Sequence, residues 1–426
     1  MLTWMMIIML GCLILAFPFM VALIAAPIFV MESSFPFLNK TILAQQTIGG
    51  VQPLALIAVP MFIFAADIMT AGRSADSLLN LVRTFVQHIR GGMSIVTAAG
   101  CTLFGAVSGS TQATVCAIGG PLRPKLLEAG YSSSFATALI INASDIAMLI
   151  PPSIGMIVYG VVTGTSVGEM FIAAVAPGLF ILLLFSVYCY IYALFKGMPI
   201  LPRASWAERF AALKDAALPL GFPVIIVGGI YAGIFSPTEA AVVSVFYAFF
   251  LEVVVYRHVK INEIPKIALS TGVVTSVVFV LVGVGTAFSW VISFAKIPQA
   301  LLPAILGPDP TVLWLLLVIS FSFFMGCMFV DPIVVIIILG PIFHPVAVKL
   351  GIDPVLVGVI VTLQVAIGSA TPPFGCDIFT AIAIFRRPYW EVVKGSPPFL
   401  LILLIVNFTL IFFPSLALFL RDMAFH

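Results

Sequence analysis

The chain has 426 residues, 62% of them hydrophobic and 8% charged, with 19 Lys+Arg against 17 Asp+Glu. Soluble domains carry about 25% charged residues, so the composition excludes a chain built of water-facing domains and indicates a polytopic membrane protein. A net charge of +2, scattered along the chain, excludes a nucleic-acid binder. The six cysteines (Cys12, Cys101, Cys116, Cys189, Cys327, Cys376) fall in apolar stretches without CxxC or Cys/His spacing and read as small buried apolar side chains.

At about 20 apolar residues per crossing, nine full spans are expected in chain order: 4–30, 50–71, 131–165, 170–195, 217–235, 238–256, 267–294, 352–385 and 397–420. The first run has no Lys or Arg before it and exceeds a signal-peptide core, so it reads as a retained transmembrane helix. Spans 131–165 and 352–385 are longer than a crossing needs, and each contains a Pro-Pro pair, Pro151-Pro152 and Pro372-Pro373. Proline lacks a backbone donor and disfavours helix in the residue before it, so both spans should break near the middle. The Gly-rich stretches 93–120 and 311–340 are either crossings or re-entrant hairpins, and the mixed segments 72–92 and 295–307 read as helices lying at opposite interfaces, with ordinary loops as the alternative.

Charge supports the hairpins. If both return to the side they entered from and the N-terminus is cytoplasmic, 15 of the 19 basic residues lie inside, and only Lys40, Lys296, Lys349 and Arg421 lie outside. The C-terminus is then periplasmic.

The two halves repeat. Gly105 and Gly326, Gly130 and Gly351, and Pro151-Pro152 and Pro372-Pro373 are each 221 residues apart, and Gly120-Pro121 matches Gly340-Pro341 at 220. The unmatched span 217–235 adds a crossing between the halves, so the repeat is inverted. The expected fold is therefore an all-α polytopic membrane protein, an inverted repeat with two re-entrant helical hairpins and two broken transmembrane helices. Such repeats mark secondary transporters whose site lies near the midplane. Irregular backbone at that depth must be buried in protein or line a polar cavity.

The first tip, Gly105-Ala-Val-Ser-Gly-Ser-Thr-Gln112, faces Asn142-Ala-Ser-Asp145 and Pro151-Pro152. The second, Gly326-Cys-Met-Phe-Val-Asp331, faces Gln364, Gly368-Ser369-Ala370-Thr371 and Gly375-Cys-Asp377. Hydroxyl, amide, carboxylate and freed carbonyl oxygens suit a hard cation such as Na⁺. Asp145, Asp331 and Asp377 are candidate functional acids because an ionisable group inside a membrane is costly; the alternative is that each caps a half-helix. Asp67, near the end of its span, reads as an interfacial residue. His88, His258, His344 and His426 fall in interfacial or terminal segments, and neither HExxH, Gly-x-Ser-Gly nor a Walker A motif is present, so an enzyme is not expected.

These motifs, with Pro60-Met-Phe-Ile-Phe64, Ile150-Pro-Pro-Ser-Ile-Gly155, Tyr159-Gly160, Ser236-Pro-Thr-Glu-Ala-Ala241, Gly351-Ile-Asp-Pro354 and Thr371-Pro-Pro-Phe-Gly375, resemble the large membrane subunit (M, DctM-like) of tripartite ATP-independent periplasmic transporters. The resemblance implies an elevator-type symporter of the bacterial inner membrane, coupled to Na⁺. Its partners would be a small membrane subunit (Q) and a periplasmic binding protein (P) that delivers a small organic anion such as sialic acid or a C4-dicarboxylate. It implies scaffold helices at 1–92, 170–307 and 397–426, and a transport domain formed by 93–165 and 308–390. One Na⁺ site would use Ser108, Gly109, Ser110, Thr111, Asn142, Asp145 and Pro151; the other Gly326, Asp331, Gly368, Thr371 and Pro372. Substrate would meet Ser110, Gln112, Asn142, Asp145, Gln364, Ser369 and Asp377. The sequence departs from the usual family pattern at 142–145, Gln364 and Cys376-Asp377, and the two acids Asp145 and Asp377 point to a substrate with hydroxyl or amine donors. A stand-alone Na⁺/dicarboxylate symporter or ion antiporter is the alternative.

Overall fold

The computed structural model describes residues 2–15, 17–307 and 309–425, and among these every regular element is a helix. His426 lies outside the described residues. The N-terminal part comprises α1 (Leu2–Ile14), α2 (Phe19–Ser34), α3 (Thr41–Gly50), α4 (Ala58–Ala71) and α5 (Ser74–Val86). A first hairpin, α6 (Gly92–Ser108) and α7 (Thr111–Glu128), precedes the broken pair α8 (Ser133–Ser144) and α9 (Ile154–Thr163). Then follow α10 (Val167–Lys196), α11 (Trp206–Pro223) running on through a π turn into α12 (Gly229–Tyr231), α13 (Pro237–Phe249), α14 (Ile264–Phe294) and α15 (Ile297–Leu306). A second hairpin, α16 (Val312–Cys327) and α17 (Pro332–Lys349), precedes the broken pair α18 (Pro354–Ser369) and α19 (Cys376–Phe385), and α20 (Tyr389–Val393), α21 (Pro397–Phe412) and α22 (Ser415–Phe425) close the chain.

Among the described residues, six helical segments are long and apolar enough to cross a membrane: Leu54–Ala71, Val167–Lys196, Trp206–Tyr231, Pro237–Val255, Ile264–Phe294 and Pro332–Lys349. The last of these is the second leg of the second hairpin. Of the nine spans expected, 131–165 and 352–385 are broken at their Pro-Pro pairs, both of which are cis. The span 397–420 is bent by 58° between α21 and α22, where Pro414 interrupts the helix.

The single crossing expected over 4–30 is corrected to two helices. Pro18 starts α2 from an extended conformation, φ −53° and ψ 141°, and has no N–H with which to continue α1. Trp4 and Phe29 would stand about 37 Å apart on one continuous helix; their ring centroids are 5.9 Å apart. The chain therefore folds back on itself.

The broken helices form the core. Every residue from Phe135 to Ser144 in α8 and from Val355 to Ser369 in α18 is buried, as expected of helices apolar all round. Each hairpin packs on the broken helix that follows it, α6 and α7 on α8, α16 and α17 on α18. The second leg of each hairpin also packs on the far half of the other break: α7 on α19, and α17 on α9. On the outside, α4 covers α6 while α14 covers α17.

Two sequence motifs are helix starts. In Ser236-Pro-Thr-Glu239, the Ser236 hydroxyl accepts from the Glu239 N–H (3.3 Å) and the Glu239 carboxylate accepts from the Ser236 N–H (2.8 Å), with Pro237 at the first helical position. In Gly351-Ile-Asp-Pro354, Asp353 caps α18 through the Val355 N–H (2.8 Å) and also accepts from Arg421 Nη1 of α22 (2.6 Å).

The charged arm α5 is capped by a distant residue. Glu252, fully buried in the π turn that continues α13, accepts from the Arg73 N–H (2.9 Å), the Ser74 N–H (3.0 Å) and the Ser74 hydroxyl. A Cβ on Gly72 would overlap the same carboxylate. Arg209 of α11 holds the other end of the arm, its guanidinium 5.4 Å from the Phe85 ring. Glu252→Ala is expected to orphan both amides, at about 1–3 kcal/mol each before water relieves them, and so to lower the apparent melting temperature in detergent clearly. Glu252→Gln, which keeps one acceptor, should lower it much less; equal melting curves for both variants and wild type would rule out the cap.

Candidate functional site

The first tip is a two-residue turn between α6 and α7. Gly109 takes φ +61°, in the left-handed region that glycine enters without strain, and a Cβ there would lie 2.1 Å from the Pro152 carbonyl oxygen. The tip therefore rests directly on the first break. Ser110 caps α7 by accepting from the Ala113 N–H (3.4 Å), and the Ser108 and Thr114 hydroxyls pair at 3.1 Å.

The second tip is closed by Asp331, which caps α17 through the Ile333 N–H (2.9 Å). Gly368 of α18 lets the broken helix approach it: a Cβ there would lie 2.5 Å from the Cys327 Cβ and 2.6 Å from the Phe324 oxygen. Gly326 makes the same allowance for Val335 across the hairpin.

The two halves join at Asp377. This fully buried carboxylate accepts from the Thr111 hydroxyl of the first tip (2.9 Å) and from the Ser369 hydroxyl at the end of α18 (2.6 Å). Gln112, next to Thr111, lies beside Asp331 and Cys376. Ser108, Gly109, Ser110, Thr111, Gln112, Asp331, Ser369 and Asp377 thus come together. Thr371 donates to the Ile367 oxygen (2.6 Å), within the break that holds Pro372.

Asp145 follows the last turn of α8 in a short 3-10 segment, fully buried, and neither carboxylate oxygen has a hydrogen-bond partner. It lies close enough to Asp377 for the two charges to act on each other. A buried, unpaired carboxylate is too costly to persist uncompensated; it must take a proton, a metal cation or a cationic ligand. Neither Asp145 nor Asp377 is a cap: Asp145 ends α8, and α19 is capped by Gly375. Asp331 alone of the three acids has the capping geometry.

Two expected residues point elsewhere. Asn142 donates to the Ala138 oxygen (2.8 Å) and to Ser396 (3.4 Å), leaving Oδ1 unpaired. Gln364 lines a mostly apolar cavity between α16, α18 and α21 with Ser320 and Asn407, and its Oε1 is also unpaired. Both are on fully buried helices, and helix rotation sets which neighbour each side chain meets.

Three residues depart from what their sequence context suggests. Asp67 is half-buried, accepts from the Thr271 hydroxyl (2.6 Å) and lines a cavity with Ser108 and Ser110. Its signal is an acid inside an apolar run. Cys116, expected buried, is exposed in that same cavity. His344 lies within α17 and pairs with the Tyr159 hydroxyl at 3.0 Å. Among the described residues no three His, Cys, Asp or Glu side chains converge, so the oxygens available to a cation are hydroxyls, single carboxylates and freed carbonyls.

Residues 2–416 match the family model described as the DctM component of the tripartite ATP-independent periplasmic transporter. The chain is 62% identical to the ectoine/5-hydroxyectoine TRAP transporter large permease UehC of Ruegeria pomeroyi and 60% identical to the ectoine TRAP transporter large permease TeaC of Halomonas elongata, covering 98% of each chain in both cases. It is 38% identical to the C4-dicarboxylate TRAP transporter large permease DctM of Pseudomonas aeruginosa over 85% of each chain. The fold resembles the crystal structure of the Alcanivorax borkumensis YdaH transporter, with a TM-score of 0.61 and 16% identity over 87% of this chain and 86% of that one.

Proposed function

Since the chain belongs to the DctM-component family of tripartite ATP-independent periplasmic transporters, as a large permease subunit and not an enzyme, we propose that it takes up a zwitterionic cyclic amidine carboxylate of the ectoine class. Large permeases of this family work with a small membrane subunit and a periplasmic binding protein. In this reading the binding protein delivers ectoine or 5-hydroxyectoine to the site between the two tips, and uptake is coupled to Na⁺.

The observation that carries the substrate class is the pair of buried acids. Asp145 has no partner for either oxygen, Asp377 has only hydroxyl donors, and no Lys or Arg lies on the tips or breaks. A site lined by acids and lacking bases repels a dicarboxylate but suits a substrate that carries its own cation and N–H donors. This narrows the sialic acid and C4-dicarboxylate expectation, in line with the 60–62% identity to ectoine permeases against 38% to a dicarboxylate permease.

The same oxygens fit a hard cation. Ser108, Gly109, Ser110, Thr111 and Pro151 would hold one Na⁺, and Gly326, Asp331, Gly368, Thr371 and Pro372 a second, which leaves Asp145 and Asp377 to the cation of the substrate. Na⁺ bound there would couple uptake to the inward Na⁺ gradient. The chain's own part is to bind substrate against Asp377, Ser369, Ser110 and Gln112 and to exclude water by closing the tips on the breaks. The matched packing of α7 on α19 and α17 on α9 favours an inverted repeat. It also favours an elevator in which 93–165 and 308–390 move as one body against the remaining helices, with the loops rich in Lys and Arg on the cytoplasmic side.

The test is uptake of labelled ectoine into proteoliposomes containing both membrane subunits. Uptake should require an inward Na⁺ gradient and the added binding protein, while succinate and sialic acid stay at background. Succinate uptake without ectoine uptake would refute the substrate class, Na⁺-independent uptake would refute the coupling, and uptake without binding protein would favour a stand-alone symporter.

A further inference from the structure

Asp67 has no part in the tips or the breaks, yet it lines one cavity with the first tip. The cavity measures about 410 Å³ and lies between α4, α14 and the hairpin, with Asp67 and Phe104 on its wall, Ser108 and Ser110 at the tip and Cys116 on α7. That volume falls within the range of small-molecule pockets, about 300–1,000 Å³. Among its described lining residues Asp67 is the only charged one, and no Lys or Arg reaches it. Its Oδ2 accepts a single hydroxyl donor, from Thr271 of α14 at 2.6 Å. A carboxylate in such a wall keeps acceptor capacity that only a cation or a further donor fills.

In the same cavity, the Ser110 hydroxyl accepts from the Ala113 N–H and still has its proton to donate to a carboxylate. A carboxylate and a hydroxyl donor lining one largely apolar cavity match a small zwitterion. We propose that this cavity is a second substrate station, in which Asp67 holds the amidinium of the substrate while its carboxylate faces Ser110, the side chain that this station shares with the site between the tips. The proposal rests on the zwitterion reading above. Because α4 and α14 lie outside the hairpins and breaks, whereas Ser110 belongs to the first hairpin, substrate here is gripped from both bodies at once. Asp67 then selects for cation-bearing substrates as they pass between the midplane site and the water on the side from which the first hairpin enters.

Cys116, exposed in the cavity, provides a readout independent of transport: maleimide labelling of the full-length protein in detergent, measured at the Cys116 peptide by mass spectrometry. Ectoine should slow labelling of wild type and succinate should not. Asp67→Asn should lose that protection and raise the KM for ectoine uptake at least about tenfold, the loss typical of a hydrogen bond to a charged group. Thr271→Val, which removes the hydroxyl but keeps the carboxylate, should retain protection. Wild-type protection and KM in Asp67→Asn would overturn the role of Asp67. Equal loss in Asp67→Asn and Thr271→Val would reduce it to an anchor between α4 and α14. A wild-type protein that neither takes up ectoine nor is protected by it would overturn the zwitterion reading, and this station with it.

Discussion

Replacing Asp377 by Asn is expected to raise the ectoine concentration needed for half-maximal uptake by roughly 10- to 100-fold, the equivalent of about 1.5–3 kcal/mol for hydrogen bonds to a charged group. The fold should tolerate the change. Asp377 accepts from Thr111 and Ser369; Asn keeps one acceptor oxygen, and its amide can donate to whichever hydroxyl turns round to accept. What disappears is the charge at the junction of the two halves. Asp145→Asn should act in the same direction, since Asp145 has no protein partner to lose. Uptake titrated against ectoine and against Na⁺, on protein that elutes as a single species, checks both. Curves that overlay wild type in both titrations would return the two acids to a structural role.

Gly109→Ala is expected to abolish uptake. An L-residue at φ +61° is strained by about 1–2 kcal/mol, but strain alone does not stop transport. The decisive term is the Cβ, which would sit 2.1 Å from the Pro152 carbonyl oxygen. That atom is backbone within the break and cannot swing aside like a side-chain end, so the tip must lift off. Gly164 supplies the control: it has φ +77°, and a Cβ there would meet nothing within 4 Å. Gly164→Ala should show the strain as a small drop in melting temperature while uptake persists. If Gly109→Ala transports as well as Gly164→Ala, contact between the tip and the first break is not required.

Membrane placement and the sites of irregular backbone were legible without coordinates because they follow from strong local terms. Too few charges exist to coat a soluble surface, and a Pro-Pro pair inside a long apolar run interrupts a helix whatever surrounds it. The Gly-rich stretches holding Gly109 and Gly326 read as hairpins, and the structure adds that a Cβ at either glycine would meet Pro152 or Val335. Pro18 and Pro414 carried the same kind of signal, but each was absorbed into an apolar run long enough to read as one span.

The sequence by itself therefore determined the class of molecule, the two tips, the two breaks and the candidate acids on them. Tertiary structure alone decided which of those groups meet. Thr111 and Asp377 are 266 positions apart, and Glu252 caps an arm helix 178 positions before it. Asn142 and Gln364, on helices buried on every side, turn away from the tips, while Asp67 turns toward one. The physical reason is that a hydroxyl, amide or carboxylate in a membrane interior pairs with whatever group packing brings within about 3 Å. Hydrophobic periodicity sets the exposed face of a helix, but it carries no such information for a helix that is apolar all round.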